Sequence, residues 1–262
     1  MIHASARLLG RQILHAANAV GTVLVLLRKT IYWLFKARPN HRDVIDQMYK
    51  IGVQSFPVTS LTALFTGMVL ALQTGFSFRR VFNEPLYVGT VVGLSLLKEL
   101  GPVLTAVVVA GRVGASIAAE LGTMNVTEQV DALYTLGTNP VRYLVVPRFL
   151  ACLLMVPLLS VYADAIGVIG GYLVAHYRLA IPSAVYRHEI FDMRLQDLFH
   201  GLIKSVVFAL IIVITACNKG LKCAGGAEGV GRATTNAVVI SMVLILVSDY
   251  FLSAFLVSFG IG

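Results

Sequence analysis

LLKELGPVLTAVVVAGRVGASIAAELGTMNVTEQVDAL, residues 96–133, is half lipid-soluble and half polar, and that contrast sets the fold. Its first half belongs to an apolar stretch of about 86–118, long enough to cross a bilayer, which takes about 20 residues in helical form. Gly101-Pro102 interrupts it. Proline removes a backbone hydrogen bond, so a kink or break is expected near the middle of this span. Lys98 and Glu99 stand just before that step. Neighbours on a helix point about 100° apart, so the pair cannot both face one adjoining helix unless the helix is broken there. The second half, from Glu120, is polar and reads as a connecting loop over 119–146. Within it, Thr127 is placed to cap a short helix beginning at Glu128 and continuing through Asp131.

Outward from this stretch the same composition recurs. Of 262 residues, 57% are apolar and only 13% charged, against roughly 25% charged in a soluble domain. With a mean hydropathy of +0.81, most of the surface must face lipid, and a soluble globular domain is excluded. Further spans are expected at about 52–76, 147–176 (with Pro157 inside), 199–217 and 236–260. The expected fold is therefore an all-α integral membrane protein with five transmembrane helices in a single five-span domain of 37–262.

Residues 1–36 read differently. Leu8, Leu9, Ile13, Leu14, Val20, Val23, Leu24 and Leu27 recur at helical spacing between Arg7, Arg11 and Asn18, and Tyr32 and Trp33 precede Lys36 and Arg38. That pattern predicts an amphipathic helix lying in the membrane interface. A true span over 13–35 would carry Arg28 and Lys29 at depth, a cost of several kcal/mol. No cleaved signal peptide is expected.

The net charge of +8 sits beside apolar spans, a setting for orientation and lipid headgroups rather than nucleic acid. Thirteen Lys and Arg residues fall in the N-terminal region and the 119–148 and 218–236 connections, five in the opposite ones. The excess predicts a cytoplasmic N-terminus and a C-terminus outside. Cys152, Cys217 and Cys223 have no metal-ligand spacing and read as small packing residues.

Ionisable residues inside spans mark either function or structural ion pairs. The candidates are Lys98, Glu99, Asp164, Lys204 and Asp249, with Arg112 nearer the cytoplasmic end of the second span; Lys204 with Asp249 is the ion pair to expect. Gly111 with Ala115, and Gly167 with Gly171, form small-xxx-small pairs that let helices approach closely, within one subunit or across a dimer seam. No Gly-Lys-Ser/Thr phosphate loop and no His-Glu-x-x-His motif occurs. The chain is not expected to be an enzyme or to bind a cofactor of its own.

As a whole, residues 96–133 resemble the permease subunit of the Mla-type (MlaE/YrbE) ABC lipid transporters. The run E-x-G-T-M-x-V-T-E-Q-V-D-A-L (120–133) is its most specific part, and the likeness extends over roughly 40–260, including LIKSVVFA at 202–209 and GRATT at 231–235. The resemblance implies a homodimer in the bacterial inner membrane, with an ABC ATPase on the cytoplasmic face that supplies ATP and Mg chemistry. A periplasmic hexamer of MCE-domain subunits would stand above it, and phospholipid would be moved between inner and outer membranes to maintain outer-membrane lipid asymmetry. It also implies that the segment from Glu120 through Thr127, Glu128 and Asp131 is the helix that couples to the ATPase. Lys98, Glu99, Lys204 and Asp249 match the family's charged positions within the spans and are expected at the substrate cavity. The family often has Arg where this chain has Lys98, and lysine lacks the planar fork that grips phosphate in two places. A secondary transporter with buried charges, or a structural scaffold for the periplasmic ring, are the other readings of such a chain.

Overall fold

In a computed structural model the described residues, 2–36, 40–82 and 87–260, are almost all helical. The side chains of Arg7 and Arg11, and all of Arg38 and Leu86, lie outside the described residues. Helix α1 (Ile2–Lys36) is followed by α2 (His41–Ile51) and, after a short turn at Val53–Ser55, by α3 (Phe56–Phe82). The second span is α4 (Val88–Ser95), α5 (Gly101–Val109) and α6 (Ala115–Val126), joined by wide π turns at Leu96–Leu100 and Ala110–Gly114. The short α7 (Gln129–Thr135) leads through a third π turn, Val141–Val145, into α8 (Val146–Tyr177). The short α9 (Ser183–Phe191), α10 (Leu195–Leu221) and α11 (Gly226–Ser258) complete the chain. Among the described residues, five continuous helical stretches are long and apolar enough to cross a membrane.

These stretches outrun their expected limits. They cover His41–Arg80, Val88–Val126, Val141–Tyr177, Leu195–Leu221 and Gly226–Ser258, where hydropathy marked about 52–76, 86–118, 147–176, 199–217 and 236–260. Hydropathy registers only the turns that lie in lipid, whereas backbone hydrogen bonding carries a helix on into polar sequence. Much of the expected loop 119–146 is accordingly helix: α6 runs to Val126 before any turn occurs.

The expected break at Gly101-Pro102 is instead a π turn. The ring of a proline clashes with the carbonyl four residues earlier. Here the amide of Gly101 bonds the carbonyl of Leu96, five residues back, and the added residue lets the helix pass Pro102 unbroken. The same device precedes Pro147, where the amide of Val146 bonds the carbonyl of Val141.

Helix α10 is the central post. Phe208, Ala209, Ile212, Val213, Ala216 and Cys217 are fully buried there against α6, α8 and α11. Helices α3 and α8 touch backbone to backbone: a Cβ on Gly67 would stand 1.9 Å from the Gly167 carbonyl oxygen, and one on Gly170 2.3 Å from that of Leu64. The Gly167–Gly171 pair thus packs within the subunit. Cys152, Cys217 and Cys223 are buried free thiols.

Helix α1 lies across one end of the bundle. Its Asn18 and Thr22 share a cavity with the end of α10, and its Trp33 sits beneath Arg142 with the guanidinium 6.0 Å from the ring centre. Those points are about 22 Å apart along the helix, yet both neighbours belong to the end of the bundle that carries α7. Leu26 and Thr30 are buried against the bundle, while Arg28 and Lys29 are exposed.

Candidate functional site

Two regions carry the residues singled out by sequence. The first is an ion-pair cluster roughly a third of the way down the bundle from its α9 end. Asp197 and Lys204 are seven residues, two turns, apart on α10, so both present to the same neighbour. Midway between them Gly201 has no side chain, and a Cβ there would meet the Leu97 carbonyl oxygen at 2.1 Å. The close approach brings the π turn at Leu96–Leu100 onto α10. Lys98 then pairs with Asp197 at 2.9 Å, and Lys204 donates to the Glu99 carboxylate at 2.6 Å. Lys98 and Glu99 therefore do reach one helix, through the widened turn rather than a break.

From the other side α11 supplies Asp249, 2.9 Å from the Lys204 ammonium. Ser253, one turn on, can donate to Glu99 at 3.1 Å or to the Asp249 carbonyl at 2.8 Å. Lys204 thus holds two carboxylates from two spans while its own side chain is wholly buried. The Glu99 side chain is 43% exposed, against 20% for Asp249 and none for Lys204, so the cluster opens to the outside of the subunit chiefly at Glu99. Counted with Lys98 and Asp197, two cations face three carboxylates.

Asp164 is not part of this cluster. It is buried on α8 against Gly101, where a Cβ would come within 1.6 Å of its Oδ1, and that oxygen has no hydrogen-bond partner among the described residues. Arg112 is a strut instead: it donates to Ser55 Oγ at 2.7 Å and Gln54 Oε1 at 2.9 Å, fastening the second span to the turn before α3.

The second region is α7. Thr127 does not cap it. Because α6 continues to Val126, the Thr127 hydroxyl bonds back to the Thr123 carbonyl at 2.9 Å, and α7 begins at Gln129. Glu128 is the hinge between the two helices, with a left-handed φ of 60°. Val130 is buried and Leu133 packs on the core, leaving Glu128 and Asp131 exposed beside Tyr134 and Leu136. Gly137, φ 71°, ends the helix in the left-handed conformation glycine favours.

Glu120 has a different job from the residues after it. Its carboxylate pairs with the nearly buried Arg148 at 2.8 Å and with Lys50 at 3.5 Å, joining α6, α8 and α2. Glu120→Ala strands the Arg148 guanidinium and is expected to lower stability by about 1–3 kcal/mol. Glu128→Ala is expected to stay within about 0.5 kcal/mol of the parent. Thermal unfolding followed by circular dichroism separates the two; equal melting would show that the Arg148 pair contributes nothing.

Asp197, Ser253 and Arg148 were not legible as members of these sites. The spacings Asp197–Lys204 and Asp249–Ser253 place each pair on one helix face and could have suggested the first two. Nothing local links Glu120 to Arg148.

The sequence pattern of the permease family MlaE matches residues 44–255. The chain is 46% identical over 252 residues, 96% of its length and 97% of the relative's, to a probable ABC transporter permease protein of Rickettsia typhi. It is 45% identical over 221 residues, 84% of both chains, to one of Synechocystis sp.. A third, from Pyropia yezoensis, is 39% identical over 218 residues, 83% of this chain and 82% of its own. A five-span helical membrane protein with this match belongs to the MlaE family of permeases.

Proposed function

We propose that the chain is the membrane-spanning half of an ABC transporter that moves phospholipid between the inner and outer membranes of a bacterial envelope, maintaining outer-membrane lipid asymmetry. The observation that carries this reading is the half-exposed carboxylate of Glu99, about 16 Å along its helix from Val88. A carboxylate at that depth is too costly to leave against acyl chains, so the face it occupies needs a wet cavity or a second copy of the chain. Helix α5 packs between α3 and α11 on that side. Those two helices present Leu61, Phe65, Val69, Val243, Val247 and Phe251 outward.

In this reading two copies enclose an outward-opening cavity lined by the first, second and fifth spans. Acyl chains lie on the apolar walls, where each buried methylene is worth about 0.8 kcal/mol. The Glu99–Lys204–Asp249 set holds the floor. The α7 end faces the cytoplasm, with α1 in the interface of the inner membrane, and the exposed face of α7 seats on an ATPase that binds ATP and Mg. The opposite end, with the C-terminus, is periplasmic and meets an MCE-domain hexamer. ATP binding draws the two α7 helices together and collapses the cavity toward that ring.

Native mass spectrometry of the complex purified through this subunit tests the assembly. Two copies of the chain with two ATPase subunits, an MCE hexamer and retained phospholipid is the expected composition; a lone chain without ATPase or lipid overturns the proposal. The α7 assignment has its own test. Tyr134→Ser with Leu136→Asp is expected to cut co-purified ATPase at least about tenfold, an interface core residue being worth more than about 1 kcal/mol. Melting should not change, because both side chains are exposed. Undiminished ATPase would remove α7 from the docking surface.

A further inference from the structure

The connection between α10 and α11 builds a second polar site at the α7 end. Its four residues are held tightly. Gly225 and Gly226 take φ values of 95° and 67°, and a Cβ on Gly229 would meet the Ala224 carbonyl oxygen at 2.0 Å. The Asn125 amide donates to the Cys223 carbonyl at 2.8 Å, pinning the turn to the end of α6. Beside this turn lies a cavity of about 480 Å³ whose walls include Asn18 of α1, Asn218, Lys219 and Lys222 at the end of α10, and Arg232 of α11.

The charge in this cavity is one-sided. Three cations and no acid line it, and among the described residues the acid paired with one of them is Glu228, 3.8 Å from Arg232, both side chains being well exposed to solvent. Asn218 is 8% exposed and lines the cavity. An amide beside three cations is a donor set for an oxyanion. The wall from α1 adds the second half of the argument. Asn18 and Thr22, one turn apart, face the cavity, while Leu14 and Val25, on the same side of the helix, are exposed apolar residues. A ligand with an anionic head and an apolar tail meets both surfaces at once.

We infer that this cavity binds the phosphate of an anionic phospholipid headgroup from the leaflet at the α7 end. The site stands apart from the Glu99–Lys204–Asp249 cluster, since Asn218 is fourteen residues from Lys204, about 21 Å along α10. It does not depend on what the permease carries. Because the gripped turn is bonded to Asn125, three residues before Glu128, occupancy braces the α6–α7 junction.

The test is native mass spectrometry of the full-length chain released from nanodiscs, with phosphatidylglycerol and phosphatidylcholine offered in equal amounts. The parent is expected to retain phosphatidylglycerol preferentially. Each surface cation contributes a factor of about 5 toward an anionic lipid, so Lys219→Gln/Lys222→Gln/Arg232→Gln should cost on the order of 100-fold, and Lys219→Arg/Lys222→Arg should retain the preference. If the triple variant lacks native helicity, Lys222→Gln alone, at an exposed position, should still lose about fivefold. Equal retention of the two lipids by the parent, or an unchanged preference in the Gln variants, overturns the site. Displacement of phosphatidylglycerol by millimolar inorganic phosphate overturns the lipid assignment in favour of a soluble phosphate.

Discussion

Lys204→Met is expected to lower the stability of the permease by about 3–5 kcal/mol, the usual result of removing one partner from a buried ion pair. The ammonium is wholly buried and bridges the carboxylates of Glu99 and Asp249. Without it two like charges from the second and fifth spans face each other, so α11 should loosen from α5 and α10. For a chain of this size that is roughly a 6–20 °C fall in the unfolding temperature, read by circular dichroism in nanodiscs. The cause is charge rather than shape, and the rescue tests this. Adding Glu99→Gln and Asp249→Asn to Lys204→Met neutralises the whole set and should recover most of the loss, because a cluster without charge no longer carries the desolvation penalty. A Lys204→Met protein that melts like its parent would mean that the carboxylates do not need the lysine. Failure of the neutral triple variant to recover would mean that Lys204 acts through packing.

Gly67→Ala is expected to be comparably damaging, although it adds a single methyl. The new Cβ would stand 1.9 Å from the carbonyl oxygen and 2.9 Å from the Cα of Gly167. Both are backbone atoms, so no side-chain rotation can make room and α3 must move away from α8. The two helices also meet at Gly170, against the Leu64 carbonyl, so the displacement spreads along the seam. Overpacking of this kind costs about 1–3 kcal/mol and more when backbone must shift; a value at or above about 3 kcal/mol is expected, with loss of folded yield. Gly231→Ala is the control. It sits in α11 with nothing near the added carbon, and should be neutral or stabilise by up to about 1 kcal/mol through helix propensity. Equal behaviour of the two variants would contradict the close α3–α8 contact.

The number of spans, the all-helical class, the polar stretch that becomes α7 and the residues that carry charge in the membrane were legible in the sequence alone. Each depends on local composition: transfer into lipid is paid residue by residue, so a window of twenty side chains is enough to read it. Of the ion pairs, Lys204 with Asp249 could be anticipated because few partners exist inside a bilayer. The tertiary structure alone decided the rest. Lys98 turns to Asp197 and Glu99 to Lys204 because a π turn ahead of Pro102 resets the rotation of the second span, and because Gly201 lets α10 close on it. Thr127 closes α6 rather than opening α7, and Glu120 is committed to Arg148, because α6 extends past the apolar slab to reach α8. These outcomes turn on helix rotation, register and the distance between axes. All three are fixed by contacts between residues far apart in the chain, such as Gly67 with Gly167, which no window of sequence contains.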